Sequence, residues 1–190
     1  MGNIINGHEY VDLGLSVVWA TCNVGAQIPE EFGDYYAWGE TKPKRIFNEK
    51  TCETYEKVIA DISGTSRDAA RMEWGAPWRM PTWEEFNKLK SSCEYEWIEK
   101  HGLFGRRLTG KSGENIYFPI AGMRDWGRLR MVGTIGYYWS STPDEREDHT
   151  QFACGFQFDK HSLNSVAFYQ YANNEDYRYY GYQIRAVADI

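Results

Sequence analysis

No run of about twenty apolar residues occurs in this 190-residue chain, so no membrane-spanning helix is expected. The opening stretch "MGNIINGHEY" lacks the apolar segment of a secretion signal and is not read as one. Cysteine is sparse: Cys22, Cys52, Cys93 and Cys154 stand far apart, and none forms a C-x-x-C pair, which argues against a zinc site. They are read as partly buried thiols, although an even count also permits two disulfides in three connectivities. His8, His101, His149 and His161 share no ligand spacing, so no metal cofactor is expected. Basic charge is in deficit. A net charge of −6 argues against a nucleic-acid partner gripped through its phosphates. There is no internal repeat and no low-complexity tract.

Aromatic residues, by contrast, make up 16% of the chain, with eight Trp and fourteen Tyr. Some serve the core; so many tyrosines also suggest an exposed recognition surface, because Tyr offers contact area at low entropy cost. The length fits one domain, residues 1–190, large enough to bury a core without staples. "EYVDLGLSVVWATCNVGA" reads as one or two short strands, and residues 44–63 as a loop excursion. "SRDAARMEWG" reads as a short helix stopped by Gly75. In "APWRMPTWEEFNKLK", Thr82 and Glu85 form a capping box, so a second helix runs from Thr82 to about Cys93. Arg79, between Trp78 and Met80, is expected to tie several backbone carbonyls together and stack on the indole. "TGKSGEN" reads as a hairpin turn, since it lacks the full phosphate-loop spacing.

The last third is β-rich. "NIYFPIAG" is a strand cut short by Pro119, "GYYWSST" another, and "QFACGFQF" the clearest of all. In the last, Phe152, Cys154, Phe156 and Phe158 are expected inward, with Gln151, Ala153, Gly155 and Gln157 opposite. "NSVAFYQY" alternates too, and "GYQIRAV" closes the pattern with Ile184 in the core. The fold class is α+β: two helices packed on antiparallel strands with long loops.

Five blocks, "DLGLSVVWATCNVGA", "EEFGDYYAWGET", "DAARMEWGAPWRMPTWEEF", "GYYWSST" and "RYYGYQIRAV", resemble in order the landmarks of the Fibrobacter-type major paralogous domain of gut Bacteroidetes. That family is similar to the formylglycine-generating-enzyme branch of the C-type lectin fold. The resemblance runs from about Tyr10 to Val187. It implies that the Trp-Arg-Met-Pro-Thr block seats the second helix against the sheet. It also implies an extracellular, cell-surface or virion-associated setting. Members of this fold branch serve as variable proteins of diversity-generating retroelements, whose C-terminal strands and loops carry mutable surface residues.

An enzymatic reading fits the residues less well. The formylglycine-generating enzymes bind copper with a pair of C-terminal cysteines, where this chain has only Cys154; related sulfoxide synthases use clustered histidines. The motifs of calcium-dependent sugar-binding lectins are missing as well. The expected function is non-catalytic binding of a protein or glycan ligand by a monomer. The alternatives are a metal-dependent oxidase and a structural domain of a surface or virion assembly. The candidate ligand-binding residues are Asp144, Arg146, Asp148, His149, Asp159, His161, Tyr169, Tyr171, Asn173, Asn174, Asp176 and Tyr177. All twelve are types that adenine-directed mutation of AAC or AAT codons can produce. Glu145, Glu147, Gln151, Gln157, Lys160, Gln170 and Glu175 are not, because those codons keep a pyrimidine third base. Tyr179 and Tyr180 are expected to pack beneath the loops.

Overall fold

In the computed structural model, residues 3–146, 148–160 and 176–190 are described. Twelve strands and two α-helices lie within them, and every pairing between strands is antiparallel. The expected α+β class holds, with the helices a small part of it. The "NSVAFYQY" strand lies outside the described residues.

The central sheet has the order β1 (Asn3–Ile5), β2 (His8–Val11), β3 (Val18–Asn23), β12 (Arg185–Ala188), β4 (Trp78–Arg79). A strand from the far end of the chain is therefore inserted between two from the first half. Its neighbours bury it on both faces. Val18, Ala20, Ala186 and Ala188 point into one apolar cluster with Trp38, Trp78, Trp139 and Tyr182. Trp19 and Val187 point into another with Phe86, Phe118, Tyr138, Phe156 and Phe158.

The helices end where local chemistry says they should. α1 (Ala69–Trp74) is capped by the Asp68 carboxylate and stops at Gly75, whose φ of 74° suits glycine. α2 (Trp83–Ser92) opens on the expected capping box: Glu85 N donates to Thr82 Oγ1 at 3.2 Å and Thr82 N to Glu85 Oε2 at 2.8 Å. Phe86 and Leu89 turn inward, and Phe86 stacks on Phe156 at 4.6 Å. That contact seats α2 against the hairpin of β10 (Ile135–Pro143) and β11 (Ala153–Asp159).

Three expectations need correction. Arg79 is not chiefly a binder of carbonyls. Among the described residues it reaches one, Met80 O at 3.3 Å, and ion-pairs instead with Glu85 at 2.6 Å and Asp189 at 2.8 Å. The capping glutamate is the nearest strong acceptor and draws the guanidinium. In "QFACGFQF", Phe156 and Phe158 do face the second cluster, but Ala153, Gly155 and Gln157 opposite them are buried too. The hairpin is thus sandwiched, not solvent-facing. Cys154 is only half-buried, its thiol donating to Pro143 O at 3.5 Å. A register shift between Trp139 and Pro143 takes the start of this strand out of simple alternation.

A three-stranded sheet, β5 (Glu94–Lys100), β6 (Leu103–Thr109) and β7 (Asn115–Pro119), fills a stretch for which only the last strand was expected. "TGKSGEN" is indeed the turn between β6 and β7, closed by Gly110 N donating to Glu114 O at 2.9 Å. Finally, β8 (Met123–Asp125) and β9 (Arg128–Arg130) form a small hairpin on Trp126 and Gly127.

Candidate functional site

The loop leaving β10 is organised by one carboxylate. Asp144 Oδ1 accepts from Arg146 N at 3.0 Å and from Arg146 Nε at 2.9 Å; Oδ2 takes the Nη2 of the same guanidinium. His149 Nδ1 lies 3.5 Å from Asp144 Oδ2. Partial burial pushes the Asp144 carboxyl up, but the Arg146 hydrogen bonds and charge outweigh it and hold the group below its ordinary value. The main chain closes the loop: His149 N donates to Arg146 O at 3.2 Å and Phe152 N to His149 O at 3.0 Å. Asp148 sits exposed on this loop with φ of 64°, a conformation that Asp tolerates.

Phe152 joins the loop to an aromatic row. It bridges to Tyr177, with the rings 4.7 Å apart. Tyr177 stacks on Tyr179 at 5.0 Å, and Tyr179 meets Tyr55 at 5.7 Å. Tyr177, Tyr179, Tyr180 and Tyr55 are all half-buried; Tyr180 packs against the first apolar cluster, whereas Tyr179 belongs to the aromatic row. The structure thus brings Asp144, Arg146, Asp148, His149 and Tyr177 to one rim. Asp159 is elsewhere, at the far end of β11, with its carbonyl taken by Arg106 Nη2 at 2.6 Å. His161, Tyr169, Tyr171, Asn173 and Asn174 lie outside the described residues.

Asp176 is a further correction, because it is buried and not on display. Its Oδ1 accepts from Tyr182 Oη at 2.7 Å and Gln157 Nε2 at 2.5 Å. Burial is the dominant influence, and it raises the carboxyl to about 7 despite those hydrogen bonds. A methyl added at Gly155 would sit 2.8 Å from Asp176 Oδ2, so glycine is what leaves room for the carboxylate. The sequence signal existed: Gly155 and Gln157 share the strand face opposite the phenylalanines, where a buried polar partner was needed.

Two clefts flank the turn at Gly33 and Asp34, which sequence reasoning did not place in the site. One, of about 760 Å³, is walled by Ile28, Phe32, Leu103, His101 and the carboxylates of Glu30, Glu31 and Asp34. The other, of about 400 Å³, is walled by Asp34, Tyr35, Pro43, Lys44, Arg45, Arg124 and Gly127. Among the described residues no group of three or more His, Cys, Asp or Glu is placed to hold a metal ion. The four cysteines are unpaired, and burial raises the Cys93 thiol to about 11 and the Cys154 thiol to about 12. Both are therefore protonated and weakly nucleophilic at neutral pH. No protein family, curated protein or solved structure matches this chain.

Proposed function

We propose that this chain is a non-catalytic recognition module built on the formylglycine-generating-enzyme type of C-type lectin fold, binding a protein or glycan ligand at a cell or virion surface. The observation that supports this reading is the rim where the Asp144–Arg146–His149 loop meets the Tyr177–Tyr179–Tyr55 row. A loop pinned by its own charges stands beside stacked, half-exposed tyrosines. Rigid aromatics with adaptable polar neighbours are what a binding face uses, because little entropy is lost on contact. The architecture of two helices on antiparallel strands, with long connections between them, is compatible with that fold.

The test is Tyr177→Ala, compared with Phe156→Ala as a core control. Tyr177→Ala is expected to cost about 1–2 kcal/mol of stability, against roughly 3–5 for Phe156→Ala. It should abolish the strongest hits on glycan and protein arrays. Retention of every hit by a normally melting Tyr177→Ala variant would remove this rim as the binding face. Diversification by a retroelement has its own check: a reverse-transcriptase gene and a near-repeat of the 3′ coding region beside this gene.

A further inference from the structure

The smaller cleft has a charge pattern unlike the rest of this acidic chain. Lys44 is already committed, to Glu40 at 2.7 Å and to Thr51 O at 2.7 Å. Arg45 and Arg124 are not: among the described residues neither has a carboxylate partner. Arg124 is nevertheless held in place. Its main chain exchanges hydrogen bonds with Gly181 at 2.8 and 2.9 Å, and its guanidinium lies 5.0 Å over the Tyr35 ring. Tyr35 in turn donates to Ala121 O at 2.6 Å, which fixes the ring. Stacking occupies one face of the guanidinium and leaves its N–H edge available.

The adjoining turn is built at a conformational cost. Trp126 and Gly127 form the two-residue loop between Asp125 and Arg128, with φ of 49° and 78°. Both central residues of such a turn need positive φ, and Asn-Gly is the usual solution. A tryptophan there is a steric outlier. The residue is 55% exposed, so burial does not compensate for the strain. The turn is anchored by Trp126 N donating to Phe47 O at 3.0 Å, and Gly127 lies so close to Arg45 that an added methyl would sit 3.2 Å from Arg45 O. Arg45 and Gly127 therefore line the cleft together, with Trp126 beside them in the chain.

We propose that this cleft binds an acidic saccharide, with a carboxylate or sulfate between Arg45 and Arg124, hydroxyls against Asp34, and the sugar extending out of the cleft toward the exposed Trp126 beside Gly127. Two guanidiniums that line one cleft without being ion-paired among the described residues suit a forked oxyanion. Asp34, which also lines the cleft, accepts from hydroxyl donors. A volume of about 400 Å³ falls in the small-ligand range, and the net charge of −6 disfavours a long polyanion.

The experiment is calorimetric titration of the full chain with a uronate-bearing oligosaccharide, a sulfated one, a neutral one of equal length, and sodium sulfate alone. At least one acidic sugar should bind, the neutral one about tenfold or more weaker, and added salt should weaken the binding. Which acidic sugar binds more tightly assigns the group to carboxylate or sulfate. Arg45→Gln and Arg124→Gln should each lose about tenfold in affinity, and Trp126→Ala several-fold. Tyr177→Ala should leave this binding unchanged, which separates the cleft from the rim proposed above. Arg45 is exposed, so its variant should fold even if that of Arg124 does not. Equal binding of the neutral sugar, failure of both acidic sugars at millimolar concentration, full competition by sulfate alone, or an unaffected Arg45→Gln would each overturn the proposal.

Discussion

Arg185 and Arg124 carry the same side chain into opposite circumstances. Arg185, on the central strand, is fully buried. Its Nε donates to Asn23 Oδ1 at 2.9 Å, its Nη1 to Ala20 O and Thr21 O at 3.2 and 3.1 Å, and its Nη2 to Tyr117 O at 2.9 Å. Phe118 lies 4.5 Å beneath it. Arg178 behaves alike, donating to Phe152 O, Thr54 O and Lys57 O while it stacks 4.4 Å from Trp38; burial draws it down to about 10. The arginines in "RYYGYQIRAV" thus do what was expected of Arg79, joining loops to the sheet through carbonyls. Arg124 has the stacking partner but not the acceptors. The difference lies in the surroundings: a guanidinium enclosed by carbonyls is a fastener, and one facing an open cleft is free to take up a ligand.

The sharpest way to break that comparison is Arg185→Met. It removes the Arg185 donors from four acceptors, three of them in buried contacts, so a loss on the order of 5 kcal/mol is expected, or failure to fold. The measurement is denaturant unfolding beside Arg124→Gln, which should lose far less. Similar losses in both would mean that Arg124 is structural too.

Asp176 tests the buried region by pH. Its folded value of about 7 stands above the ordinary 3.8, so the native state holds the proton more tightly than the unfolded chain does. Its contribution is full below about pH 4 and is lost as pH rises through 7. The swing is on the order of 4 kcal/mol, at 1.36 kcal/mol for each pKa unit. Asp176→Asn cannot titrate, so relative to the parent it should gain stability between pH 4 and pH 8. Denaturant unfolding at several pH values reads this directly; a constant difference across that range would contradict the raised value.

The smallest effect should come from the strained turn. Trp126→Asn places a residue that accepts positive φ where tryptophan is strained, so stability should rise by about 1 kcal/mol. Affinity for the acidic sugar should fall in the same variant. A fall in stability instead would show that the indole packs usefully against its surroundings.

Much of the fold was legible because local rules decided it. Thr82 and Glu85 marked the start of α2, Gly75 ended α1, and the alternating phenylalanines marked β11. The β5–β6 hairpin was overlooked because its polar face is charged: Glu94 and Glu96 mask an alternation carried by Tyr95 and Trp97, and Glu99 interrupts it. Arg107 pairs with Glu96 there, and Arg106 lies over both aromatic rings. The candidate rim was partly legible, since Asp144, Arg146 and His149 share one short loop. Asp176 was misplaced because its neighbours in sequence are polar, while its burial is set by Gln157 and Tyr182. The Arg45–Arg124 cleft had no local signal. Its two arginines are distant in the chain, and only the return of β8 toward the 43–45 segment brings them to one cavity.

The position of β12 has a consequence for synthesis. Arg185 bonds to Asn23 across 162 residues, and β12 separates β3 from β4. A nascent chain on the ribosome can form the α2 cap and the β5–β6 hairpin early, since those contacts are local. The central sheet must wait, with an open seam between β3 and β4, until residues 185–188 have emerged. During that interval the edges of β3 and β4 are exposed templates for strand pairing, which a bound chaperone would shield from other chains.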